Sequence, residues 1–238
     1  MYQAPEMLDK VSHADLRYSA TPTWAFARDL ATTPLAADEI ELAAAHYPTL
    51  FSAEGEPALL AILGLNGKNV YLDSNNHWTV DYIPASIRRY PFVLAQGAKD
   101  EAGTAQYFLA IDKSAPHFQS ESGEPLITEN GDLGDPAANA LGFLKVLREG
   151  FLKTEVVLKA FDAQGILVAK TLTIQDGETT RMIGGFRVVD AEKLKALPDE
   201  ILAQWARNGF LELIHAHWNS LRHLNAVAIA SGRPASTN

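Results

Sequence analysis

Between Val11 and Asp112 the apolar positions come in short clusters, not at helical spacing. The regions around Ala25–Ala27, Thr49–Ser52, Ala58–Leu65, Val70–Asp73, Phe92–Gln96 and Gln106–Ile111 read as strands. Gly64, Asn66-Gly67, Ser74-Asn75-Asn76 and the stretch from Gly97 to Gly103 supply turn chemistry between them. One helix interrupts the series: Asp38 is placed to cap it, Glu39 and Glu41 favour its N-terminus, and Pro48 stops it after Tyr47. Glu121–Asp135, with five acids, no base and three glycines, reads as an exposed connection. From Pro136 the period turns helical, with Leu141, Leu144, Val146, Leu147, Phe151 and Leu158 as its stripe and Gly165 as its C-terminal cap. A hairpin follows, turning at Asp176-Gly177, with the pair Gly184-Gly185 reading as a bulge. Helices over Ala191–Arg207 (broken near Pro198, capped by Asp190) and Phe210–Ile229 close the chain, with Gly209 between them. The pattern predicts an α+β fold, residues 1–238 as a single domain. Its antiparallel sheet comes largely from the first half and packs against C-terminal helices.

Composition narrows the function more than the fold. A chain of 238 residues, 47% apolar and 21% charged, has enough material for a core. Its net charge of −9 disfavours nucleic acid and anionic lipid as partners. With no cysteine, disulfides, thiolate metal sites and cysteine nucleophiles are excluded. The longest apolar run, ALLAILGL at Ala58–Leu65, is too short to span a bilayer, and no apolar run of signal-peptide length opens the chain. A cytoplasmic protein without membrane insertion is the expectation. The glycine-rich phosphate loops, the HExxH zinc motif and the GxSxG serine elbow are all absent.

Two stretches carry candidate chemistry. In YIPASIRRYPFVLA, Tyr82–Ala95, the residues Ile83, Ile87 and Tyr90 share one face of a short helical turn. Arg88 and Arg89 then point about 100° apart, and Pro91 ends the turn. Guanidinium groups held this way suit a carboxylate or phosphate. The expectation is one arginine buried and paired, the other lining a concavity with Trp78 or Tyr82, so the ligand-binding candidates are Trp78, Tyr82, Arg88, Arg89 and Tyr90. Internal ion pairing is the competing reading. In LELIHAHWNSLRH, Glu212 and His215 have the Glu-x-x-His spacing of carboxylate-bridged iron proteins, but only one copy is present. His217 lies about 160° further round the helix from His215. Glu212, His215 and His217 are the alternative metal candidates. The competing reading is an amphipathic core helix with Leu211, Ile214, Trp218 and Leu221 inward.

HW…DYIPASIRRYPFVLA resembles the signature of the SapC family of bacterial proteins. So do YPTLF followed by ALLAILGL, GFRVVDAEKLKALPDE, and GFLELIHAHWNSL, in order across Ala36 to Leu224. The resemblance implies a family named after a gene in a bacterial surface-layer cluster. Its members are often encoded near TonB-dependent receptors, flavin-dependent halogenase-like proteins and cupin-like iron oxygenases. It brings no catalytic set; Trp78, Tyr82, Pro84, Arg88, Arg89, Tyr90, Pro91, His217 and Ser220 mark its pattern, not roles.

The resulting expectation is a non-catalytic accessory protein, without cofactor, that binds a small acidic molecule, a peptide or a partner enzyme, such as one of a halogenase-like or TonB-receptor system. The alternative is a metal-dependent enzyme, iron oxygenase-like, using the C-terminal histidines. Short edge strands and apolar C-terminal helices also lead us to expect a homo-oligomer.

Overall fold

The computed structural model describes residues 2–20, 23–53, 57–99, 105–118, 122–176 and 179–232. In chain order its strands are β1 (Pro5–Met7), β2 (Arg17–Tyr18), β3 (Thr32–Pro34), β4 (Thr49–Ser52), β5 (Leu59–Ile62), β6 (Phe92–Lys99), β7 (Ala105–Asp112), β8 (Glu124–Pro125), β9 (Leu167–Asp176) and β10 (Thr179–Val189). Its helices are α1 (Ile40–Ala44), α2 (Ala85–Arg88), α3 (Asp135–Ala163), α4 (Ala191–Lys195), α5 (Asp199–Arg207), α6 (Phe210–Ser220) and α7 (Leu224–Gly232). The fold is α+β with antiparallel sheets and C-terminal helices. The chain divides into two compact units, each drawn from two stretches: Met1–Trp24 with Ser86–Glu149, and Ala25–Ala85 with Gly150–Asn238.

The first unit is built on the sheet β1-β7-β6, with β2 and β8 paired beside it. Alternation along β6 and β7 puts Phe92, Leu109 and Ile111 into one core with Leu126, Ala137 and Leu144. Asp112 ends β7 with no exposed surface, and its carboxylate accepts from the backbone N–H of Gln3 (2.8 Å) and Ala4 (3.1 Å) and from the Ser114 hydroxyl (2.7 Å). Burial alone would raise its pKa, but these donors outweigh it and hold the group below the usual carboxylate range.

The second unit carries the sheet β3-β5-β4-β10-β9, so the late hairpin completes a sheet begun in the first half of the chain. Leu50 and Phe51 of β4 are fully buried, and Phe51 meets Phe161 edge-on at 6.2 Å. The register of β10 on β9 shifts between Ile183 and Phe186, and Gly185 has φ +88°, so the glycine pair forms the bulge. Gly150 allows a close approach: a Cβ there would sit 3.0 Å from that of Ala36.

Several local expectations are corrected. Ala25–Ala27 is a 3-10 turn, closed by Arg28 N–H on the Ala25 carbonyl, and not a strand. Val70–Asp73 forms only a single bridge, Leu72 to Trp78. The first helix begins with a 3-10 turn at Ala37–Glu39, and Asp38 does not cap it. Glu39 instead reaches back to the Ala36 N–H (3.0 Å), while the Thr154 hydroxyl takes that of Ala37 (2.7 Å). Leu126 and Ile127, within the stretch read as an exposed connection, are buried, because the strand pairing β2–β8 turns them into the first unit's core. Val146 is 68% exposed: it neighbours buried Leu147, and consecutive helix residues cannot share one face. The hairpin turn expected at Asp176-Gly177 runs into 177–178, and that expected at Gly103 falls within 100–104; both lie outside the described residues.

Candidate ligand-binding site

The arginine turn belongs to the first unit from Ser86 onward. Pro84 precedes a single helical turn, and Pro91 immediately precedes β6 after it. Tyr90 N–H closes on the Ile87 carbonyl (3.1 Å) and Phe92 N–H on that of Arg89 (2.8 Å). Ile87 has no exposed surface and Tyr90 only 6%, so two apolar anchors fix the turn, whereas Ile83 is only half-buried. Arg88 is consequently exposed and Arg89 half-buried.

Both arginines line one concavity of about 360 Å³, entirely within the first unit. Its other walls include Tyr18, Phe92, Phe143 and Leu144, with Glu124 at an exposed position. The Arg88 guanidinium carbon lies 5.3 Å from the centre of the Phe143 ring, and that of Arg89 5.6 Å from the centre of Tyr2. Rings of this kind hold a guanidinium flat and fix its orientation. The Arg89 Nε is buried with no hydrogen-bond partner among the described residues. Tyr90 approaches Asp112 at 3.4 Å, and burial together with that carboxylate pushes its hydroxyl up to about 12, so it is a neutral donor at any physiological pH.

Trp78 and Tyr82 lie in the second unit and their polar atoms are committed there. Trp78 Nε1 donates to the Tyr47 hydroxyl (2.6 Å), which donates in turn to the Tyr82 carbonyl. The Tyr82 hydroxyl donates to Glu39 (2.6 Å), and the same carboxylate oxygen accepts from Ala85 N–H (2.8 Å). Glu39, 8% exposed, thereby ties the start of α1 to the segment leading into α2. Among the five ligand-binding candidates, then, Arg88, Arg89 and Tyr90 come together on one concavity, and Trp78 and Tyr82 belong to another network.

The histidines of α6 diverge. His217 has no exposed surface; its Nδ1 faces the Thr49 carbonyl at 2.8 Å and its Nε2 the Val189 N–H at 3.3 Å. A carbonyl only accepts, so Nδ1 carries the proton and Nε2 is the acceptor, leaving neither lone pair for a metal. Burial pushes its pKa down to about 4. Ser220, equally buried, accepts from Thr49 N–H (2.9 Å) and donates to the His217 carbonyl (2.6 Å). His215 is exposed and packs edge-on against Trp218, and Glu212 is also exposed. Among the described residues no three His, Asp or Glu side chains converge as metal ligands.

The SapC family model matches residues 8–227 of the 238. The chain belongs to the SapC family. No curated protein and no solved structure matches it. The concavity is therefore assigned to this SapC-family chain from its own geometry. Tyr18, Glu124 and Phe143 were missed as wall residues. Phe143 shares a helix face with Ala140, Leu144 and Leu147, a periodicity that marks it as inward but cannot say what it faces. No helix among the described residues is long and apolar enough to cross a membrane.

Proposed function

We propose that this SapC-family protein is a non-catalytic accessory protein that binds a small carboxylate-bearing molecule in the concavity of its first unit. The observation that carries this reading is the convergence of Arg88 and Arg89 on an aromatic-walled cavity of about 360 Å³. That volume falls in the range of small-molecule sites, about 300–1,000 Å³. Guanidinium groups stacked on rings present planar pairs of donors suited to a carboxylate, and the apolar wall suits an uncharged body behind it. Glu124 disfavours a second anionic group near it, so a monocarboxylate fits better than a dianion. Among the described residues the lining holds one carboxylate, Glu124, and no serine, histidine, lysine or cysteine, a sparse set for turnover that favours binding.

Isothermal titration with phenylacetate and hexanoate, each against its neutral amide, tests the reading. The acids should bind and the amides should not, and Arg88→Ala should weaken the acids at least about tenfold, equivalent to about 1.4 kcal/mol. Equal binding of acid and amide, or unchanged binding by Arg88→Ala, would overturn it. Native mass spectrometry of protein as purified gives an independent view of any retained acid.

A further inference from the structure

The second unit has a larger hollow, about 610 Å³, unrelated to the arginines and made from three helices. Its floor is apolar: Ile40 of α1, Val157 of α3 and Leu213 of α6 are each less than a tenth exposed. Its lip is apolar as well. Val156 lines it while 63% exposed. A large aliphatic side chain left in water beside an apolar hollow marks a surface that a partner covers.

Charge indicates what kind of partner. Asp38, Glu41, Glu212 and Lys153 edge the hollow, and Lys153 pairs with Asp38 at 3.0 Å. Glu41 and Glu212 remain, so the rim is negative. Glu212 is held in place: its carboxylate lies over the start of α6, where a Cβ on Gly209 would come within 2.9 Å of it. These acids are not gathered around a point that could hold a metal ion. A rim of separated negative charges around an apolar floor matches cations spaced along an amphipathic partner. A second copy of this chain, at net −9, would add negative charge to it.

Backbone chemistry selects the shape. The walls are mostly helical and none of the described lining residues lies in a strand, so an extended peptide would find no sheet edge on which to ladder its N–H and C=O groups. A helix satisfies those groups internally and offers its apolar stripe to the floor. We infer that the hollow between α1, α3 and α6 docks a cationic amphipathic helix of a partner protein.

The test uses the full chain and a synthetic Leu/Lys amphipathic peptide of about 15 residues, long enough to begin to hold a helix. Its controls are a scrambled peptide of equal composition and the proline-interrupted version. Fluorescence anisotropy should show binding of the amphipathic peptide alone, weakening with salt. Glu41→Lys combined with Glu212→Lys should raise Kd at least about tenfold, and Val156→Asp should do likewise. Backbone chemical shifts should move at Ile40, Val156 and Leu213 and stay put at Arg88. Equal binding of the scrambled or proline-broken peptide would overturn the inference. So would unchanged affinity in the charge-reversed variant, shifts confined to other surfaces, or a simple alkylamine competing at the same concentration, which would make the hollow a small-molecule site. None of these outcomes depends on acid binding at the arginines.

Discussion

His217 in the second unit spends both ring nitrogens on backbone groups and has no exposed surface. Arg88 in the first unit is exposed, and its neighbour Arg89 keeps a buried Nε without an acceptor. Both places hold polar side chains in otherwise apolar stretches, and both fall inside the family match. Their bookkeeping differs. Where every donor and acceptor is used by the protein itself, the residue specifies the fold. Where guanidinium groups line a cavity instead, they can meet a ligand. The comparison makes a firm demand: changes in the His217, Thr49, Ser220 and Glu39 networks should cost stability, and changes at the arginine turn should cost binding.

The largest effect is expected from His217→Ala. It strands the Thr49 carbonyl and Val189 N–H and opens a cavity beside Phe51, whose ring lies 4.8 Å away. A loss of about 3–5 kcal/mol should appear in urea denaturation. A loss below about 1 kcal/mol would mean His217 is not the structural element argued above.

A pH effect of nearly this size should accompany the intact protein. His217 titrates near 4 in the fold because burial opposes its charge, against 6.5 for an unperturbed histidine. Between those values the unfolded chain takes up a proton that the folded chain refuses. Stability is therefore complete above about pH 6.5 and falls as pH drops towards 4, by up to about 3 kcal/mol. His117, pushed to about 4 by burial in the first unit, titrates with the same sign. Denaturation midpoints from pH 7 to 4.5 check this, and a flat profile through the window would contradict it.

Glu39→Gln comes next. Glu39 accepts from Ala36 N–H, Ala85 N–H and the Tyr82 hydroxyl, all of them donors. An amide turns one acceptor oxygen into an NH₂ facing a donor, so about 1–3 kcal/mol should be lost. Acid binding by the first unit should persist in the folded fraction, and titration calorimetry can follow it.

Much of the fold was legible in the sequence because its signals are local. The glycine bulge and the 3.6-residue stripe of α3 each act within a few residues. The two compact units were not legible, since each joins stretches far apart in the chain and neither differs in composition. The same holds for buried Leu126, which an acidic, glycine-rich neighbourhood made look exposed. At the site, the arginine turn was visible because prolines and Ile87 fix it locally. Its aromatic wall was not, because Tyr18 and Phe143 arrive from distant segments. Trp78 and Tyr82, a few residues before the turn, are held by Tyr47 and Glu39, which no spacing rule links to them.

The smallest effect on stability, and the sharpest test of the comparison, is expected at the arginines themselves. Arg89 is half-buried against the Tyr2 ring, so Arg89→Lys exchanges a stacked plane for a compact ammonium and should cost about 1 kcal/mol. Arg88 is exposed and stacks on Phe143 from the outer side of the turn. Arg88→Lys keeps the charge and the aliphatic stem, and its denaturation midpoint should match the parent within about 0.5 kcal/mol. Its affinity for phenylacetate should nonetheless fall several-fold, because an ammonium cannot offer two parallel N–H groups to a carboxylate. If Arg88→Lys melts like the parent and also binds like it, bidentate recognition at Arg88 is wrong. If it loses as much stability as Glu39→Gln, then Arg88 belongs with the spent groups of the fold, and the distinction between the two regions fails at this turn.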